Sequence, residues 1–403
     1  MTFETLALAP QIQMAIKEAG YVSPTPIQEQ AIPIIMAGSD IVGCAQTGTG
    51  KTAAFAIPLL NFLHRIVTKR KTIRTLVITP TRELAIQIQQ NFENYGQYTK
   101  VTSLVIFGGV SQVSQVDALK RGTDVLIATP GRLLDLYKQG FIKLNELHHL
   151  VLDEADQMLD MGFINDVKKI IKITPSNRQT LLFSATMPDA IRELASTFLT
   201  QPKYVSVTPV SSTAENVNQQ LYFVDKEQKR ELLYHLIQEK AMKTVLVFVR
   251  TKHSADNVVK ALKKQGITAE AIHGNKSQNA RVRALDAFKN NEITVLVATD
   301  IAARGIDIES LPYVINFDLP NIPETYVHRI GRTGRAGNSG IAISLCANDE
   351  KPYLKDIEKL TKIAITVVHD HPFPIDLSKE PSKKPDLRNK TPKLAQKSFY
   401  KKK

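Results

Sequence analysis

Residues 40–57 read Asp40-Ile-Val-Gly-Cys-Ala-Gln-Thr-Gly-Thr-Gly-Lys-Thr-Ala-Ala-Phe-Ala-Ile57. A short apolar strand, Asp40–Gly43, runs into a glycine turn, and a helix opens on Lys-Thr. That order is what a phosphate cradle requires. Gly48 and Gly50 let the backbone wrap a polyphosphate, with Gln46, Thr47 and Thr49 completing the loop. Its N–H groups join the helix dipole in holding negative charge. Lys51 is placed to hold the β- and γ-phosphates, and the Thr52 hydroxyl to ligate Mg²⁺. The usual first glycine of the pattern is Ala45 here.

Outward from this stretch, β-branched runs alternate with helical patterns, which predicts parallel α/β sheets. Strands are expected at Leu76–Thr79, Val125–Ala128, Leu150–Leu152 and Thr180–Phe183. A second set is expected at Thr244–Val249, Thr294–Ala298, Tyr313–Asn316 and Gly340–Leu345. The two sets form a distant repeat. Asp124-Val-Leu-Ile-Ala-Thr-Pro130 matches Thr294-Val-Leu-Val-Ala-Thr-Asp300 at an offset of 170, and Thr75–Thr79 matches Thr244–Phe248 at 169. The same offset carries the phosphate loop onto Glu215–Tyr222, where no glycine-rich loop exists. One half therefore binds nucleotide, and the other contributes to that site only from outside. Domains are expected at residues 1–207 and 219–370, joined by a polar linker at 208–218 and followed by a basic tail at 371–403.

The apolar strand His149-Leu-Val-Leu152 carries Asp153, Glu154 and Asp156 out at its carboxyl end, where ligands sit in parallel sheets. Asp153 is expected to hold Mg²⁺, partly through water, and Glu154 to orient and deprotonate an attacking water. Acids ending a buried strand are costly without a cation nearby. Loop and acids together predict hydrolysis of a nucleoside triphosphate.

Composition bounds the rest. The chain has 403 residues, too many for one ordinary core, with 43% apolar and 23% charged residues. No apolar run approaches the roughly 18 residues of a membrane span, and the N-terminus lacks a signal-peptide pattern. Cys44 and Cys346 are too far apart in sequence for a zinc cluster, so a reducing, cytoplasmic setting is expected. The net charge is +13, and residues 378–403 hold ten Lys/Arg against two Asp/Glu. That excess fits either a solubilising end or an electrostatic tether to nucleic acid.

The tetrapeptide Asp153-Glu-Ala-Asp156 resembles the signature of the DEAD-box RNA helicases. Further motifs of that family follow in order over residues 3 to about 340. Gly20-Tyr-Val-Ser-Pro-Thr-Pro-Ile-Gln28, with Phe3 upstream, resembles its adenine-reading segment. Pro80-Thr-Arg-Glu-Leu-Ala85, Gly108-Gly109 and Thr129-Pro-Gly-Arg132 resemble its RNA-facing segments, and Ser184-Ala-Thr186 its coupling motif. Val247–Thr251, Gln278-Asn-Ala-Arg281, Ala298–Asp307 and His328-Arg-Ile-Gly-Arg-Thr-Gly-Arg335 complete the set. Met158–Phe163 and the short basic tail resemble the bacterial RhlE-like subgroup.

The resemblance implies two tandem RecA-like domains and ATP-dependent, RNA-stimulated remodelling of RNA. Gln28 matches adenine N6 and N7 bidentately, Phe3 or Tyr21 supplies a stacking face, and Gly305 and Asp307 approach the ribose. Arg332 and Arg335 act as arginine fingers. Pro80, Arg82, Gly108, Gly109, Thr129 and Arg132, with Arg250, Arg281 and Thr299 across the cleft, contact RNA largely through its backbone. Ser184, Thr186, Asp156 and His328 couple the two sites. The partner is RNA, with ribosomal RNA or ribonucleoprotein complexes compatible, and a monomer is expected. An ATP-gated RNA clamp and a DNA translocase use similar parts; the Gln28 segment and the tetrapeptide favour RNA unwinding.

Overall fold

Runs of Val, Ile and Leu at the strand positions alternate their side chains between two covered faces, as all-parallel sheets demand. In the computed structural model, which describes residues 2–46, 48–66, 72–207, 217–303, 311–334 and 340–375, these runs form two sheets. The first contains β1 (Ile41–Cys44), β2 (Thr75–Ile78), β3 (Ser103–Ile106), β4 (Val125–Ala128), β5 (His149–Leu152), β6 (Gln179–Ser184) and β7 (Lys203–Ser206). The second contains β8 (Val217–Phe223), β9 (Val245–Val249), β10 (Ala269–Ile272), β11 (Val295–Thr299), β12 (Tyr313–Asn316), β13 (Gly340–Cys346) and β14 (Thr366–Val367).

The first sheet runs β3-β4-β2-β5-β6-β1-β7 and the second β10-β11-β9-β12-β13-β8-β14. Adding seven to each strand number of the first gives the second, so the internal repeat is one topology used twice. All pairings are parallel, with Leu76 opposite both Leu126 and Leu150 in the register. Leu76, Leu126, Leu150 and Leu182 face one core, while Val77, Ile127, Val151 and Leu181 face the other. Val245, Val247 and Val297 against Leu246, Phe248 and Leu296 repeat the alternation in the second sheet.

The strand order reverses between β2 and β5 and again at β1, and the loops expected to hold nucleotide and RNA lie at the carboxyl edge of each sheet. The repeat fixes the phosphate-loop equivalent more closely than the sequence offset does. β8 matches β1, so the matching segment is Val224–Lys229 rather than Glu215–Tyr222, most of which is β8 itself. Val224–Lys229 also has no glycine. β8 begins at Val217, two residues inside the segment expected as linker, and Phe373 packs on the second core, inside the segment expected as tail. Residues 208–216 and 376–403 lie outside the described residues.

Candidate nucleotide site and cross-domain groove

β1 ends at Cys44 and the helix Lys51–Arg65 begins after a turn held by Gly48 (φ 83°) and Gly50 (φ 92°), conformations that favour glycine. A Cβ on Gly50 would run into the Gln28 amide. That amide ties the loop down: its Oε1 accepts from Thr25 N at 3.0 Å and its Nε2 donates to Gly50 O at 3.1 Å. The Thr25 hydroxyl donates to Thr49 O at 2.8 Å. Gln28 is fully buried, and these two bonds use one N–H and one lone pair of its amide. Its first role is to brace the phosphate loop, which the adenine reading did not anticipate. Phe3 is buried and meets Tyr21 edge-on at 6.3 Å. Tyr21, 39% exposed, is the ring that presents a face, with its hydroxyl 3.0 Å from that of Tyr95. Thr47 lies outside the described residues.

The Lys51 ammonium is 3.0 Å from Glu154 Oε1 and donates to Ala45 O at 2.8 Å. Lys51, Asp153 and Glu154 are all buried. Burial alone would lower the lysine pKa; Glu154, Asp153 and Asp156 outweigh it and raise it, so Lys51 is a firm cation. Burial and the Glu154 charge push Asp153 well above the usual carboxylate range. Two carboxylates thus share one lysine in a water-poor site, which is a deficit of positive charge. Glu154 also has left-handed backbone (φ 55°, ψ 53°), rare for a side chain of its size, and its carboxylate accepts from Gln157 Nε2 at 3.1 Å.

Three of the four residues expected to couple the sites are joined. Asp156 Oδ2 accepts from Thr186 N at 2.8 Å and from the Thr186 hydroxyl at 2.9 Å. Ser184 Oγ accepts from Asp156 N at 3.2 Å and donates to Thr186 O at 2.7 Å. Ser184 O also accepts from Ala45 N, the first residue of the phosphate loop, at 3.0 Å. His328 stands apart from them in the second domain, lining a small pocket with Asp300, Arg329 and Arg332.

Six of the nine expected RNA-facing residues line one groove. Pro80, Arg82, Gly108, Thr129 and Arg132 follow β2, β3 and β4; Gly274, Arg281 and Ala302 follow β10 and β11 in the other domain. The groove encloses about 490 Å³; Arg82, Arg132 and Arg281 line it against Glu83 and Asp135, and Met161 and Phe163 add apolar surface. Gly109, at φ 78°, lets the Arg82 guanidinium lie against its backbone, where any Cβ would collide. Arg132 is steered by Val110 O at 3.0 Å. Across the cleft, Gln278 accepts from Arg82 at 3.3 Å and donates to Glu83 at 2.9 Å, while Arg281 pairs with Glu83 at 3.1 Å. Glu83 and Gln278 stood inside quoted motifs without a role. Their signal was spacing: Gln278 and Arg281, three apart on the helix Gln278–Lys289, share a face.

Arg250 is placed differently from its expected role. Its guanidinium donates to Leu319 O at 2.9 Å and Glu350 at 2.8 Å, and lies 5.2 Å from the Tyr353 ring centre. Buried Lys229 touches the same Glu350, so Arg250 is held within its own domain. Thr299 ends β11 outside the groove lining. Of the two expected arginine fingers, Arg332 lies among the described residues. Arg332 is buried beside Arg329, whose guanidinium bridges Asp300 (2.8 Å) and Asn316 (3.1 Å). Gly305, Asp307 and Arg335 lie outside the described residues.

Residues 25–194 match the DEAD/DEAH box helicase family model and residues 228–337 the helicase conserved C-terminal domain. The DEAD-box ATP-dependent RNA helicase CshA of Geobacillus kaustophilus is 44% identical over 361 residues, covering 90% of this chain and 77% of that protein. The enzyme of the same name from Bacillus subtilis is also 44% identical, covering 90% and 73%.

This chain belongs to the DEAD-box ATP-dependent RNA helicases.

Among solved structures, yeast Dbp5 bound to RNA and ADP BeF3 superposes with a TM-score of 0.81 at 32% identity, covering 91% of this chain and 95% of that one. Mss116p bound to ssRNA and AMP-PNP gives 0.83 at 27% identity, covering 92% and 80%. The repeated sheets are therefore the two RecA-like domains of a DEAD-box helicase, and the RNA-dependent ATPase activity of that family is this chain's activity. Among the described residues, no helix is long and apolar enough to cross a membrane.

Proposed function

We propose that this helicase separates short RNA duplexes locally, by closing its two domains over one strand when ATP and RNA are both bound. The observation that carries the reading is the groove itself: RNA-facing loops of both sheets line one cavity and are already bridged by Glu83, Gln278 and Arg281. A ligand that contacts both walls favours the closed arrangement, and so does a nucleotide clamped from both sides. Two ligands with a shared preference for one state reinforce each other. Phosphate contacts from Arg82, Arg132 and Arg281 carry no base information, so sequence selectivity is weak. A clamped strand held off A-form geometry sheds its partner.

In the ATP site Lys51 holds the terminal phosphates, Glu154 orients and deprotonates the attacking water, and Arg332 and Arg335 approach from the second domain. Asp153 and Thr52 suit a magnesium ion. Among the described residues no group of three His, Cys, Asp or Glu could cage a metal alone, which matches an ion held by one carboxylate, one hydroxyl, phosphates and water. When bound, that ion supplies Lewis-acid charge for the phosphates. The deficit of positive charge around Asp153 and Glu154 supports it.

Three finer readings belong here. Residues 1–207 and 219–370 act as the two moving bodies, with 208–218 as the joint and 371–403 as a basic extension that adds RNA affinity. The relatives carry the name CshA, which favours a CshA-like over an RhlE-like placement. A monomer working in the cytoplasm on structured or ribonucleoprotein RNA fits the cleft. The test is Glu154→Gln: it should bind ATP and RNA yet accumulate a long-lived ternary complex. Rapid RNA release with ATP present would remove Glu154 as the base.

A further inference from the structure

The amino ends of β5 and β6, opposite the catalytic edge, open into a second cavity of about 490 Å³ that the helicase reaction does not use. Its floor is apolar, formed by Ile35, Met36, Pro58 and Leu59. One wall is an aromatic corner. Phe62 stands edge-on to His149 at 4.5 Å and to His148 at 5.7 Å, and keeps 40% of its surface exposed. His149 is buried; burial first, then His148 and Arg74, push it down to about 3, so this imidazole is a neutral ring at physiological pH.

The rim has one sign of charge. Among the described residues Arg65 and Arg178 line it, with Asn177 beside them, and no carboxylate does. Arg178 donates to Pro175 O, while its Nε has no partner. The nearest acid acting on it, Asp40, already accepts from Thr180 N at 2.7 Å and Thr200 N at 2.8 Å. The helix Pro26–Met36 ends at the cavity, and a helix carboxyl end ordinarily repels anions. Here the Gln179 amide covers it, donating to Ile35 O at 3.0 Å and Ser39 O at 2.7 Å.

We infer that this cavity binds a nucleotide-sized aromatic anion, its base against the Phe62–His149 corner and its phosphate at Arg65 and Arg178. The volume, the half-exposed Phe62 ring and two rim arginines, Arg178 and Arg65 (which also donates to Ala7 O at 3.2 Å), supply in one cavity the room, the aromatic surface and the cationic donors such a ligand needs. The ligand is a free mononucleotide or the 5′-phosphorylated end of an RNA; both present the same base and phosphate. The cavity lies at the opposite end of the sheet from the catalytic loops, so occupancy does not compete with ATP.

The test is a titration of the full chain, carrying ¹³C-methyl methionine, with uridine 5′-monophosphate. Met36 lines the cavity, so its methyl resonance reports occupancy there and not at the ATP loop. The expected result is a saturable Met36 shift, weakened at least tenfold by Arg178→Gln and by Phe62→Ala, with RNA-stimulated ATP hydrolysis unchanged in both variants. Absence of a saturable shift at about 10 mM, beyond the millimolar end of small-ligand binding, overturns the site. So does a shift that survives both substitutions. A 5′-phosphorylated trinucleotide that displaces the mononucleotide identifies an RNA end as the ligand. One that leaves it in place identifies the free nucleotide.

Discussion

Lys51 is the residue on which the ATP site balances. It is the cation paired with two buried carboxylates, so Lys51→Ala leaves Asp153 and Glu154 facing each other with their charge unopposed. Losing one partner of a buried pair typically costs about 3–5 kcal/mol. Lys51→Ala should therefore destabilise the first domain and, by removing the cation proposed for the terminal phosphates, lower ATP turnover by about two orders of magnitude or more, measured by phosphate release on folded protein; residual activity within tenfold of wild type would contradict the assignment. Thr186 acts at the same scale on a different quantity. Its hydroxyl is one of the two Thr186 donors to Asp156 Oδ2, and a hydrogen bond to a charged group is worth about 1.5–3 kcal/mol. Thr186→Val should slow strand separation about tenfold or more while basal ATP hydrolysis stays within about twofold, and equal losses in both assays would show that the hydroxyl serves the ATP site alone. The sequence pointed to Lys51 and Glu154 as one site, and the fold sets them 3.0 Å apart. Residue types misled where one side chain serves two ends. Gln28 carries an amide suited to adenine, yet its hydrogen bonds go first to Thr25 and Gly50. Arg250 looked like a phosphate contact and is held by Glu350, a partner 100 positions away that no local pattern announces.

At the scale of elements, the strands legible in the sequence are the interior ones, β1, β2, β4, β5, β6, β9, β11, β12 and β13. Their two covered faces demand unbroken apolar runs. β3, β7, β10 and β14 went unseen because they are sheet edges, short and partly solvated, where polar residues such as Ser103, Lys203 and Glu270 are tolerated. β8 is interior but reads Val-Asn-Gln-Gln-Leu-Tyr-Phe, with three consecutive polar residues near its start that break the apolar run. The second strand of the catalytic core also carries a pH signature. His149 opens β5, with Thr75 Oγ1 of β2 at 3.3 Å from its ring. Its pKa falls from 6.5 to about 3 in the fold, mainly through burial. Below pH 6.5 the unfolded chain binds a proton that the folded chain refuses, so stability is full above 6.5 and is lost as pH falls towards 3. Thermal unfolding of His149→Gln should therefore depend less on pH between 7 and 5 than wild type; parallel curves would show that the imidazole is not desolvated.

Across the whole molecule, two copies of one topology have diverged into a half that holds nucleotide and a half that completes the groove. The repeat was legible because β4 and β11, and β2 and β9, kept their apolar runs. How the halves meet was not legible, since Glu83–Arg281 and Gln278–Glu83 join residues about 195 positions apart. Those contacts should matter only when the domains act together. Glu83→Gln should leave basal ATP hydrolysis intact and reduce its stimulation by RNA about five- to tenfold, in line with a partly exposed charge pair worth about 1 kcal/mol. An unchanged stimulation would mean that the bridge is incidental to closure. The central claim is closure driven by two ligands at once, and the direct measurement is the distance between dyes placed at exposed Asn145 and Lys264, one in each domain, read by single-molecule energy transfer. One compact distance should predominate only when RNA and a non-hydrolysable ATP analogue are both present, with neither alone shifting the distribution comparably. A distribution that closes fully with nucleotide alone, or that ignores RNA, would contradict it.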